Sequence, residues 1–243
     1  MRTAYREHLD SFAHDLIIMC DLVQDMMSYA TEALLQASLE SAESALSLTD
    51  ELKEIRTRCD ERAVELLALE GPVARDLRQV ISSIYIVEDF HRMGALAMHI
   101  ASSARRRHPE QAIPRSLLGY FEEYGRLCRD MSNKTRALLV EPDPDIAVML
   151  TDEDDAVDDL NDHLLTMLTQ REWKYSTREA IDTAMASRFY ERYADHCVNV
   201  AGHIVYLATG FIPEEYLAKR EKDEAQANFE ARFAALEKQF HRR

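Results

Sequence analysis

Glu191 and Asp195 stand four residues apart in the run E-R-Y-A-D-H-C-V-N-V-A over 191–201. On a helix that spacing puts two hard oxygen donors on one face. Forty residues upstream, the stretch 152–162 holds seven acids and no base, Glu153, Asp155 and Asp159 among them. Carboxylates in this number suit Mg2+, Mn2+, Ca2+ or iron. The competing chemistry is an internal ion pair. Arg188 and Arg192 flank Glu191, and a buried carboxylate is costly unless it is paired, hydrogen-bonded or bound to a cation. Catalytic patterns are missing: there is no Gly-rich phosphate loop and no nucleophile elbow. His196 and Cys197 follow Asp195 directly, but consecutive helical residues point about 100° apart, so the three do not face one ion together.

The elements that must carry these residues are helices. Only 6 Gly and 6 Pro occur in 243 residues, well under the roughly 12% of average usage. Apolar residues recur at steps of three and four almost throughout. Leu9, Phe12, Leu16, Met19, Val23, Met26, Ala30, Ala33 and Ala37 form one long seam, and a second segment is expected from about Asp50. It breaks at Glu70-Gly71-Pro72, where Gly ends one helix and Pro opens the next. A third helix spans about Val73 to Arg107 and closes on Arg105-Arg106-Arg107, cations that complement a helix C-terminus. After the Pro109–Pro114 stretch the pattern restarts. A fourth helix runs from Leu117 to Leu138, a fifth to about Thr169, and a sixth from Ser176-Thr177 to Gly210. Phe229, Phe233, Leu236 and Phe240 continue a helical spacing in a highly charged tail.

The second trio of helices echoes the first. Residues 91–101 share the context of 191–201, with Arg92 matching Arg192 and Ala101 matching Ala201, and Leu48-Thr49-Asp50-Glu51 recurs as Leu150-Thr151-Asp152-Glu153. The fold class predicted is all-α: two tandem three-helix bundles over 1–108 and 109–213, then a helical or disordered tail over 214–243. The copies differ where the chemistry lies. His91 and Ala95 stand where Glu191 and Asp195 do in the second copy. Glu88 lies three residues before His91, a spacing that can still hold a cation. On the fifth helix, Ile146, Met149, Ala156, Val157, Leu160 and Leu164 project to one face, with Glu153 among them. Asp154, Asp155, Asp158, Asp159 and Asp162 fan across the other.

Two segments carry a family resemblance. Pro72-Val73-Ala74-Arg75-Asp76-Leu77-Arg78 resembles the P-x-A-x-D-L-R turn of the PhoU family, and Glu191-Arg192-Tyr193-Ala194-Asp195-His196 resembles its E-R-x-G/A-D-H motif. The resemblance covers roughly residues 5–212. It implies a negative regulator of high-affinity phosphate uptake and of the phosphate-starvation response. Such a protein is an adaptor and not an enzyme, bridging the phosphate transporter's ATPase subunit and the phosphate-sensing histidine kinase, and is expected to be a homodimer. In some members the E-x-x-x-D motifs bind multinuclear iron or zinc clusters. By this resemblance Glu191 and Asp195 match the motif, and Asp155 with Asp159 its acidic partner helix. Metal is thus expected in the second repeat, with Glu153 as a further candidate there and Glu88 as a candidate in the first. The alternatives are a helical scaffold or metal-binding protein, and a ferritin-like di-iron oxidase. The last calls for two Glu-x-x-His motifs, of which only Glu88 to His91 supplies one.

Composition narrows the partners. A net charge of −15 opposes phosphate backbones, so nucleic-acid binding is not expected. The four cysteines form no C-x-x-C pair, and neither a signal-type N-terminus nor a run of about 20 uncharged residues is present. A cytoplasmic protein without membrane insertion is the expectation. The tail hydrophobes and Arg105–Arg107 are the candidate contact surfaces for partners.

Overall fold

The computed structural model describes residues 2–170 and 172–240, with side chains described for all of these except 2–4, 152, 170 and 234–240. Among the described residues seven α-helices follow one another: α1 (Arg2–Gln36), α2 (Leu39–Glu65), α3 (Ala74–Arg107), α4 (Leu118–Val140), α5 (Pro144–Gln170), α6 (Thr177–Thr209) and α7 (Pro213–Phe240). No strand occurs among the described residues. None of their helices is long and apolar enough to cross a membrane.

Local chemistry sets the helix ends. α2 begins eleven residues earlier than expected, because Ser38 caps it by accepting from the Ser41 amide at 3.1 Å. Ala37 turns the chain there in the left-handed region at φ +51°. A π turn (Leu66–Glu70) closes α2, and Gly71 at φ +55° ends it. Asp143 accepts from the amides of Asp145 and Ile146, at 2.9 and 3.1 Å, with Pro144 as the first residue of α5. Ser176 and Glu179 form a reciprocal capping box at the start of α6. Gly210 at φ +81° stops α6 and Pro213 opens α7.

α1, α2 and α3 pack as one bundle and α4, α5 and α6 as another, with α3 lying along α6 and α1 along α4. The two bundles share one apolar core rather than two. Its centre is aromatic: Phe121, Tyr124, Tyr190 and Tyr193 are fully buried. Burial of a phenol demands a partner, and two of these hydroxyls join the halves. Tyr190 Oη meets Thr31 Oγ1 of α1 at 2.8 Å, and Tyr193 Oη donates to the Val23 carbonyl at 3.2 Å. Tyr124 Oη lies 2.7 Å from Ser187 Oγ, which donates to Asn161 Oδ1 at 2.8 Å. All four cysteines, Cys20, Cys59, Cys128 and Cys197, are buried and free. Burial pushes the Cys59 thiol up to about 12.

Candidate functional site

α5 and α6 pack side by side and carry the acids. On α5 the buried residues are Ala147, Leu150, Val157, Asn161 and Leu164, a three-four series that passes through position 154. Asp154 therefore sits on the seam itself. One of its oxygens, Oδ1, is buried with no hydrogen-bond partner. Burial, then the charges of Asp195, Asp158, Glu191 and Asp155, push its carboxyl up to about 7.

Glu191 faces Asp154 from α6, where Ser187, Ala194, Ala201 and Val205 form the buried seam. It is 7% exposed. Arg188, one turn earlier, donates to Oε1, while Oε2 is buried and unpartnered. Burial and the Asp195 charge hold the Glu191 carboxyl above its usual range against the opposing pull of Arg188. Asp158 is raised as well, first by burial and then by Asp195, Asp162 and Asp155. Arg188 thus pairs with Glu191 and acts on Asp158, within a cluster of four carboxylates. Elsewhere the chain treats a buried acid differently: Asp15, 4% exposed, is paired with both Arg58 and Arg62.

The predicted residues fall in three places. Glu191 and Asp195 come together with the acids of α5, but the α5 residues whose titration they perturb are Asp154 and Asp158. Asp155, Asp158 and Asp159 are all exposed, and Asp154 alone of the four is half-buried. The apolar face of α5 lies one residue later than the face centred on Ile146, Met149 and Ala156, all three of which are exposed. The Ala147, Leu150, Val157, Leu164 series, with Asp154 and Asn161 at its intervening positions, was the signal for the correct phase. Glu153 is half-buried and paired with Lys134 of α4. Glu88 is on α3, bound at 2.9 Å by Arg56 and at 3.0 Å by Arg92. Among the described residues, no three His, Cys, Asp or Glu side chains are placed to hold one metal ion.

A second cluster escaped the sequence reading. Asp89 of α3, 9% exposed, accepts from His196 Nδ1 of α6 at 2.8 Å, and its Oδ2 lies 3.6 Å from His203 Nε2. His203 stacks on Tyr85 with centroids 5.1 Å apart. An acid between Val87 and Phe90, both buried, was the clue. His196 is therefore turned toward the first repeat. Of the arginine triplet, Arg105 pairs with Glu43 and Arg107 with Asp182. Phe229 and Phe233 of α7 are exposed and stacked on each other, whereas Leu236 and Phe240 lie outside the described side chains.

Comparison with known proteins agrees with this duplicated architecture. The family model described as PhoU domain matches twice, over residues 16–104 and 121–204. The chain is 46% identical over 213 residues to the phosphate-specific transport system accessory protein PhoU homolog 2 of Mycobacterium tuberculosis, covering 88% of this chain and 100% of that protein. It is 43% identical over 215 residues to the PhoU homolog 1 of Mycobacterium leprae, covering 88% and 97%. Among solved structures, PhoU from Pseudomonas aeruginosa superposes with a TM-score of 0.78 at 26% identity, over 85% of this chain and all of that one. The regulatory protein PhoU from Streptococcus pneumoniae has the same fold, with a TM-score of 0.74. With two matched repeats, each a three-helix bundle, and relatives spanned almost end to end, the chain belongs to the PhoU family.

Proposed function

We propose that this protein is a negative regulator of high-affinity phosphate uptake and of the phosphate-starvation response. In this reading it acts without catalysis as a cytoplasmic adaptor, a homodimer that contacts the phosphate transporter's ATPase subunit and the phosphate-sensing histidine kinase. The observation that carries the reading is the near full-length identity to proteins named as phosphate-specific transport system accessory proteins. An acidic surface favours it too, since charge complementarity governs partner choice and encounter more than affinity. The test is deletion of the gene, together with any second PhoU homologue, followed by measurement of phosphate-starvation transcripts in high phosphate. Derepression is expected; unchanged repression overturns the regulator role. Binding of the purified ATPase subunit and of the kinase's cytoplasmic portion then tests the adaptor role, and failure to bind either leaves a scaffold.

A second property is favoured by two orphaned oxygens, Asp154 Oδ1 and Glu191 Oε2. As they stand no three of these acids are placed to hold one ion, so in this reading side-chain rearrangement brings Asp158 and Asp195 to the two orphaned oxygens, and the resulting all-oxygen set suits a hard cation better than zinc. Iron, manganese or magnesium held there would neutralise carboxylates that one arginine leaves uncompensated. Asp155 and Asp159 would add charge from the exposed side. Metal content of the purified chain, compared with Glu191→Ala plus Asp195→Ala, decides between this and an Arg188 ion pair. Equal content reassigns the acids to the ion pair.

A further inference from the structure

The two repeats place opposite charges at matching positions. Residues of α6 follow their α3 counterparts by 100, as Arg92 and Arg192 do, and residues of α5 follow those of α2 by 102, as Leu48 and Leu150 do. Asp158 then corresponds to Arg56, Arg188 to Glu88, and Glu191 to His91. Three uncharged replacements fall in the first repeat: Leu52 for Asp154, His91 for Glu191 and Ala95 for Asp195. The packing agrees with this correspondence. Arg56 reaches Glu88 across the α2–α3 contact, and the Arg188 charge acts on Asp158 across the α5–α6 contact. Leu52 is seated on Gly94, where a Cβ would overlap it.

The Arg56 guanidinium sits among three groups of metal-ligand type. Nη1 lies 2.9 Å from His91 Nδ1, Nη2 lies 2.9 Å from Glu88 Oε2, and Nε lies 3.9 Å from Asp60 Oδ2. A planar fork with five donors reaches several acceptors at once and keeps its charge at every accessible pH. Donation from Arg56 engages the Nδ1 lone pair and so puts the proton of the neutral ring on Nε2, which leaves the imidazole without a free lone pair for a metal.

We propose that Arg56 is the first repeat's resident cation, standing between Glu88, His91 and Asp60 in place of a divalent ion, so that metal uptake is confined to the second repeat. The consequence is an asymmetric molecule in which one repeat responds to metal supply and the other does not. The proposal rests on the cation reading of the second repeat for its biological sense, but its test does not.

The test uses the full chain carrying Asp154→Asn, Asp158→Asn, Glu191→Gln and Asp195→Asn, with Zn2+ as the probe. With Arg56 present, the His91 imidazole nitrogen resonances are expected to stay fixed during zinc titration, and no zinc is expected to remain after gel filtration. Adding Arg56→Ala should shift the His91 resonances and retain about one zinc per chain, both lost again with His91→Ala. Should Arg56→Ala not fold, Arg56→Gln keeps most of the stem, removes the charge and carries the same comparison. Zinc shifting His91 while Arg56 is in place, or a folded Arg56 variant that takes up none, overturns the proposal. A native chain that holds no metal sinks the second-repeat reading alone, since the zinc comparison is made without those carboxylates.

Discussion

At the residue scale the acid cluster governs behaviour with pH. The Asp154 carboxyl is held at about 7, above its ordinary 3.8, by burial and neighbouring acids. Its folded form therefore keeps a proton that the unfolded form releases, and stability falls as pH rises from about 4 through 7. Melting of the metal-free chain should move to lower temperature between pH 5 and 8, read by circular dichroism. Asp154→Asn should flatten that slope and stabilise the metal-free protein at pH 8 by on the order of 1 kcal/mol, after discounting for partial screening. A steeper slope in the variant would contradict this account. Opposite in sign is Tyr190→Phe. It leaves the Thr31 hydroxyl without its 2.8 Å partner in a fully buried setting, and should cost about 1–2 kcal/mol in a urea titration.

At the scale of elements the informative position is Ala37. It joins α1 to α2 in the left-handed region at φ +51°, where an L side chain costs roughly 1–2 kcal/mol and glycine almost nothing. Part of that gain is lost to the greater freedom of glycine in the unfolded chain. Ala37→Gly should still raise stability by about 0.5–1 kcal/mol, about 2 °C for a chain of this size. A lower melting temperature would mean that the turn is not strained. The same reasoning explains the missed start of α2. The apolar seam of α1 runs unbroken to Ala37 and nothing in residue 37 advertises a turn, so only the Ser38 cap marked the boundary. By contrast, Ser176, Glu179, Gly210 and Pro213 bracket α6 with unambiguous chemistry, and its ends were legible.

At the scale of the whole molecule the two bundles are one cooperative unit, because Thr31–Tyr190, Val23–Tyr193 and Asp89–His196 cross between them inside a shared core. α7 stands outside that unit. It meets the rest of the chain near its start, where Tyr216 and Arg220 both reach Asp145 at 2.8 Å, and residues 221–233 are exposed along their length. The family match ends at residue 204, before α7. Truncation after Glu224 should therefore leave the melting temperature within about 2 °C of the full chain. A larger fall would assign the outer part of α7 a structural role.

Composition, the three-four spacing and the repeated segments were enough to read the helical class, the duplication and the difference between Glu191 and His91, because each is a property of local order along the chain. The partners across a helix contact were not legible in this way. A rotation of one residue exchanges Glu153 for Asp154 on the seam of α5, and a single-helix projection barely separates the two phases when acids occupy both. Packing chose between them: Leu150 and Val157 are buried, whereas Ile146 and Met149 are exposed. The sequence likewise contained Arg56, Glu88 and His91 but not their meeting, which depends on two helices approaching across a turn. Charge is written along the chain; whether it is compensated is decided only where the helices touch.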